Sequence, residues 1–180
     1  ATSYTDTAGN AGPSATTDNY AIDTIRPTVA AFTMSDTALI SGETSTVTLQ
    51  FSEAVANFSS SADITVQNGS LATMTSSDNI TWTGTFTPTS GVEDAENVLT
   101  LATTYTDTAG NAPASASTTD NYTVDTTAAT VVAFTLSDSA LKIGDTATVT
   151  LQFSEAVDRF SSSPDITFEN GSLATRTTTE

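Results

Sequence analysis

The sequence predicts an all-β chain of sandwich domains in tandem, and three observations carry that expectation. Short runs alternate apolar and polar residues with a period of two. In Thr44 to Phe51, for example, Val47, Leu49 and Phe51 fall on one face and Thr46, Thr48 and Gln50 on the other. Gly, Asn, Asp and Pro separate these runs, and no stretch carries the 3.6-residue period of a helix. The pattern also repeats. Ala31-Phe-Thr-Met-Ser-Asp36 returns as Ala133-Phe-Thr-Leu-Ser-Asp138, and Phe51-Ser-Glu-Ala-Val55 as Phe153-Ser-Glu-Ala-Val157, each 102 residues further on. Asn68-Gly-Ser-Leu-Ala-Thr73 and Asn170-Gly-Ser-Leu-Ala-Thr175 keep the same offset. That period is too long for a solenoid unit, so each repeat is expected to be a domain in an array.

One repeat is complete, from Thr24 to Asp125. Residues 1–23 read as the C-terminal end of a preceding repeat, and residues 126–180 as the N-terminal part of a following one. The flanking pieces together lack only the equivalent of Asn79 to Leu101, the phase of a two-repeat unit divided in mid-domain.

Within the complete repeat, Thr28 to Met34 reads as a first strand with Ala30, Phe32 and Met34 on one face. Pro27 suits its start. Ser35 to Glu43 reads as a turn around Gly42, and Thr44 to Phe51 as a strand. Glu53 to Ala62 reads as a loop, and Asp63 to Gln67 as a short strand burying Ile64 and Val66. Asn68-Gly69 is a hairpin signal. Leu71 to Thr75 is a weak strand, because Leu71 and Met74 do not share a period-two face. Ser77-Asp78-Asn79 turns the chain into the clearest strand, Ile80 to Thr87, with Ile80, Trp82 and Phe86 inward. Gly91 to Asn97 reads as an acidic loop, Val98 to Thr103 as a strand burying Leu99 and Leu101, Asp107 to Asn111 as a loop, and Ser117 to Val124 as the last strand. Seven short strands in about 100 residues suggest an immunoglobulin-like β-sandwich.

Composition narrows the chemistry. The chain has 21 acidic residues against four basic ones, for a net charge of -17. That balance argues against nucleic acid or an anionic membrane as partner and suits divalent cations. There is no Cys and no His, so disulfides, thiolate sites, zinc catalysis and Ser-His-Asp chemistry lose their usual residues. Acids that fall in turns and loops make a glycosidase carboxylate pair an unpromising reading. The outward row Thr81, Thr83, Thr85 and Thr87 is ordinary strand chemistry, too short for a large flat ligand surface. The chain is not expected to be an enzyme.

The acids do have a pattern. If the strands alternate up and down, the Asp23-Thr24 linker, the loop at Glu53, the turn at Asp78 and the loop at Asp107 share one end of the domain. The region of Glu93, Asp94 and Glu96 and the exit at Asp125 share the other. Carboxylates therefore gather at domain junctions. Tyr105-Thr-Asp-Thr-Ala-Gly-Asn111, with its earlier copy Tyr4-Thr-Asp-Thr-Ala-Gly-Asn10, supplies oxygen ligands without a nucleophile. Asp107, Asp23 and Glu53 form a candidate calcium site, whose shell backbone carbonyls, the Asn111 amide oxygen or water must complete. Glu93 and Asp94 are weaker candidates.

Phe-Ser-Glu-Ala-Val, Thr-Trp-Thr-Gly-Thr-Phe-Thr-Pro-Thr, Tyr-Thr-Asp-Thr-Ala-Gly-Asn and an Asp-Thr linker, in this order, resemble the bacterial immunoglobulin-like repeats of very large repeats-in-toxin adhesins. The resemblance is to their extender repeats, including those of adhesins that end in an ice-binding domain. It implies an extracellular, monomeric string of domains on the bacterial cell surface. In such a string calcium at the junctions provides stiffness, neighbouring repeats are the immediate partners, and a distant domain binds the ligand. It carries a linker role to Asp23 and Asp125, and loop roles to Glu53, Asp107, Glu155 and Asp6. The Asp-Thr-x-x-Pro pattern fits Asp23 to Pro27 but fails at Asp125, where Ala129 replaces the proline. The alternative reading is an adhesive module that binds carbohydrate or protein directly, for which exposed clustered aromatics are wanting.

Overall fold

The computed structural model describes residues 4–174 and is almost entirely β. The complete repeat runs through β1 (Val29–Met34), β2 (Ala38–Ile40), β3 (Ser45–Phe51), β4 (Val55–Ala56), the single-turn helix α1 (Ser60–Asp63), β5 (Ile64–Thr65) and β6 (Gly69–Leu71). It continues through β7 (Thr81–Pro88), β8 (Glu93–Asn97), β9 (Thr100–Leu101), β10 (Thr106–Asp107), β11 (Ser117–Thr118) and β12 (Tyr122–Asp125). One layer is the antiparallel sheet β1-β3-β7-β6. The other is built from β5-β9-β11 and β8-β12-β2. These two pieces are continuous, since β8 and β9 are halves of one strand and β11 and β12 halves of its hairpin partner. The layering is that of an immunoglobulin-like sandwich.

The two inner faces meet where the period-two pattern places its apolar residues. Val47, Leu49 and Phe86 of one sheet and Leu99, Leu101 and Tyr122 of the other are fully buried. Phe86 and Tyr122 cross the layer edge-to-face, with centroids 5.1 Å apart. Asn68 bridges the layers in another way. It adopts φ +47, and its amide NH₂ donates to Asp94 Oδ2 and Asn97 Oδ1, each at 2.7 Å. Where the hairpin halves part, side chains replace ladder bonds. The Leu99 amide donates to Thr119 Oγ1 at 3.0 Å and the Asn97 amide to Asn121 Oδ1 at 2.8 Å. Buried amides at such an irregularity need partners.

Five local expectations are corrected. The acidic stretch after Gly91 is a strand, β8, with Glu93 opposite Asp125 and Asp94 opposite Val124. It borders its sheet, so charged side chains cost little there. The Ser35 to Glu43 turn contains β2, which pairs in parallel with β12 and buries Leu39. The Glu53 to Ala62 loop contains β4 and the start of α1. Asn68-Gly69 does not close a hairpin, because β5 and β6 lie in opposite sheets. Ser117 to Val124 is two strand segments, broken at Thr119 to Asn121.

In the second repeat, β13 (Val131–Leu136) pairs with β14 (Val149–Phe153) in the register of β1 with β3, bulge included, and α2 (Ser162–Asp165) stands where α1 does. Its apolar face is open: Phe134 is 58% exposed, whereas Phe32 at the same repeat position is 6% exposed. Tyr20 and Ile22, at the repeat positions of Tyr122 and Val124, are exposed as well.

The contrast predicts unequal costs for one substitution made twice. Phe51→Ala removes a buried ring packed on Phe58 and Tyr105, and should destabilise the domain by about 3–5 kcal/mol in urea unfolding. Phe153→Ala, at a half-buried ring in the open repeat, should cost less than half of that.

Candidate metal centre at the domain entrance

Two buried aromatics hold the site from below. Phe51 closes β3, and Glu53 follows it by two residues; Tyr105 precedes Asp107 by two. The two rings lie 4.9 Å apart, both buried, and Phe58 packs on each. Above them β4 and β10 pair, with Val55 opposite Asp107. The Val55 amide is further tied to Asn79 O at 2.9 Å, which sets the Asp78 turn beside this end. Asp23 arrives from the linker. Its Oδ1 accepts from the Ile25 amide at 3.0 Å, its carbonyl accepts from Asn111 Nδ2 at 3.2 Å, and Pro27 is buried just beyond it.

The result is a convergence of three carboxylates. One oxygen from each of Asp23, Glu53 and Asp107 lies within 4.8 Å of the others, with Asp107 buried, Glu53 half-buried and Asp23 exposed. No other group of three or more metal-ligating side chains comes so close among the described residues. The ion pair found among them, Arg159 with Asp158, is exposed and lies elsewhere in the chain.

The electrostatics follow from that crowding. Desolvation, then the charges of Asp107 and Asp23, push the Glu53 carboxyl above the ordinary glutamate value. Asp107 behaves oppositely. Desolvation pushes it up, but hydrogen bonds from the Asn111 side chain and from the Asn111, Ala109 and Gly110 amides outweigh this and hold it below the ordinary aspartate value. Asn111 thus acts here through its NH₂, which donates to Asp107 Oδ2 and to the Asp23 carbonyl. It orients the carboxylate and the linker, where the sequence suggested an oxygen ligand.

The remaining candidates are placed apart from this cluster. Asp6 sits in a copy of the Asp107 loop, accepting from the Ala8 and Asn10 amides and from Asn10 Nδ2 at 2.8–2.9 Å, which holds its carboxyl below the ordinary value. Asp125 ends β12, and its Oδ1 faces the Thr127 amide at 3.3 Å, the turn Asp23 makes. Glu155 is half-buried after β14, as Glu53 is after β3. Glu93 and Asp94 lie on β8, and Asp94 is engaged by Asn68. Asp63 is buried, accepting from the Ser59 amide and the Thr104 hydroxyl, and so braces α1. A shallow open groove of about 440 Å³, lined by Thr75, Ser76, Ser77, Asp78, Thr81 and Thr83, has no aromatic side chain.

Three carboxylates that form no ion pair with a basic side chain among the described residues fit a hard divalent cation better than any organic cofactor. They offer up to six oxygens, and calcium takes six to eight, with backbone and water making up the rest. A family model described as a bacterial Ig-like domain matches residues 23–124 and again 125–180. No curated protein and no solved structure matches the chain.

The crowding has a testable sign. Because the Glu53 value is raised in the fold, metal-free native protein binds more protons there than the unfolded chain. Its stability should therefore fall as pH rises from the ordinary glutamate value through the raised one. The Asp107 contribution runs the other way: it is present above the ordinary aspartate value and lost as pH falls through the depressed one. Glu53→Gln should accordingly melt at a higher temperature than wild type in chelator at pH 7, a comparison that calorimetry makes directly.

Proposed function

Because the chain belongs to the bacterial Ig-like domain family, we propose that it is an extender segment of a large secreted bacterial surface adhesin, stiffened by calcium at its domain junctions so as to project a distal ligand-binding domain. The family is one of non-catalytic structural domains, so the working unit is the domain and its linker. The observation that carries the reading is the meeting of Asp23, from the linker, with Glu53 and Asp107, from the body of the domain. Residues on opposite sides of a junction share one charge problem.

The mechanism is mechanical. Asp107 is held rigidly by Asn111 and by the β4–β10 pairing, and Glu53 stands on the end of the core strand β3. Asp23 is the exposed member of the three and comes from the linker, tied to the domain by the hydrogen bond from Asn111 Nδ2 to its carbonyl. Without a counter-ion, three negative charges repel and the exposed one is pushed outward. A bound calcium ion would supply the positive charge that draws the linker carboxylate onto the domain. Extracellular calcium modules often bind at ~0.1–1 mM, so a calcium-rich medium would keep such a site filled. Asp125 and Glu155 would serve the next junction, with Ala129 in place of the buried Pro27 leaving that linker less constrained.

Small-angle scattering on an array of several whole repeats tests this reading. A stiff rod in excess calcium should become a flexible chain in chelator, and magnesium should fail to restore it. Indifference of both shape and melting temperature to calcium would return the three carboxylates to solvated acids. In calorimetric titration Asn111→Ala should weaken calcium binding by roughly 10–100-fold, the usual cost of losing a residue that orients a ligand.

A further inference from the structure

The linker that follows Asp125 is held from behind at Thr126 as well as from in front at Thr130. We propose that the turn from Thr89 to Val92 is a docking surface for the linker threonine, which clamps the start of the following repeat to the preceding domain without any metal. The contact is reciprocal. The Thr126 amide donates to the Val92 carbonyl at 2.7 Å, and the Val92 amide donates to Thr126 Oγ1 at 2.9 Å. The same hydroxyl faces the Thr89 carbonyl at 2.7 Å and the Val92 carbonyl at 3.1 Å. Its single hydrogen goes to one of these while its lone pairs take the Val92 amide, so the side chain is used as both donor and acceptor.

The position of this contact gives it meaning. The β8–β12 ladder ends at the pair Glu93–Asp125, and Thr126 is the next residue. The Thr126 amide extends the backbone ladder by one bond to the Val92 carbonyl, and its hydroxyl accepts the Val92 amide in place of the second. Val92 is partly buried against the core, so the receiving turn is anchored to the domain body. On the far side, the following repeat takes hold of the chain at Thr130. The Thr130 amide donates to Ser154 Oγ at 2.9 Å, and the Ser154 amide donates to the Thr130 carbonyl at 2.8 Å. Thr28 and Ser52 make the same two contacts at the entrance of the complete repeat.

Only Thr127, Ala128 and Ala129 lie between the two holds. The clamp thus fixes the hinge at three residues. A linker cut loose at Thr126 would hinge over a longer stretch and reach more orientations. At this junction the threonine binds the domain behind, directly before the three residues that lead into the domain ahead. This inference goes beyond the calcium reading and does not depend on it.

Amide hydrogen exchange on the 180-residue protein, followed by NMR in excess calcium and in chelator, tests the clamp. In wild type the Val92 amide should be protected in both media. Thr126→Val, which keeps the shape and removes the hydroxyl, should speed its exchange roughly tenfold, the scale of one lost hydrogen bond. Thr126→Ser should restore protection. The Val47 and Leu49 amides in β3 report whether each variant remains folded. If Thr126→Val does not fold, wild type in chelator and Thr126→Ser still decide. Unchanged Val92 exchange in folded Thr126→Val, failure of the serine rescue, or exposure of Val92 by chelator alone would each overturn the proposal. Calcium affinity measured by titration on the same samples is a separate readout. Its absence would defeat the calcium reading and leave the Val92 result standing.

Discussion

Everything at the entrance of this domain depends on three negative charges that the chain itself does not neutralise. Asp23, Glu53 and Asp107 bring oxygens within 4.8 Å of one another. The sequence has only four basic residues, and the ion pair among the described residues is spent on an exposed neighbour pair. Such convergence is unfavourable unless the surrounding structure enforces it or a cation relieves it. Here the enforcement is visible. Phe51, Phe58 and Tyr105 form an aromatic floor, β4 pairs with β10, and Asn111 holds one carboxylate in place. Desolvation, with the charges of Asp107 and Asp23 added to it, pushes the Glu53 carboxyl above its ordinary value.

The floor also explains why so small a domain can carry such a site without disulfides. Its core is continuous from Val47 and Leu49 through Phe86 and Tyr122 to Leu99 and Leu101. The site stands at the end of that core, on residues two beyond Phe51 and Tyr105. Rigidity in the core is thereby transmitted to two of the three carboxylates, while the third stays on the linker. Under the proposed calcium reading, that asymmetry would let a local charge balance control the relation between neighbouring domains. The threonine clamp complements it by limiting how much chain is free to move.

Much of this was readable from residue order. The alternation of Val47, Leu49 and Phe51 marks a buried strand, and the strand pattern alone puts the Asp23, Glu53 and Asp107 segments at one end. What escaped reading was non-local. The pairing of Ala38–Ile40 with β12 joins segments more than eighty residues apart, so no local pattern could announce it. Glu93 to Asn97 lacks apolar alternation and β-branched residues, and becomes a strand because its partner, β12, dictates it. Asn68 marks a turn in the sequence and takes φ +47, but its two bonds across the sandwich depend on Asp94 and Asn97 arriving there. Asn111 stands out in the sequence as an oxygen donor, but its amide direction follows from two acceptors that only the fold brings near.

The central claim is that the three carboxylates hold one calcium ion between linker and domain. Anomalous diffraction from crystals grown in calcium tests it most directly. The account predicts one peak about 2.3–2.6 Å from oxygens of Asp23, Glu53 and Asp107 together. An empty cluster beside a calcium peak elsewhere, for instance at Glu93 or Asp94, would contradict it.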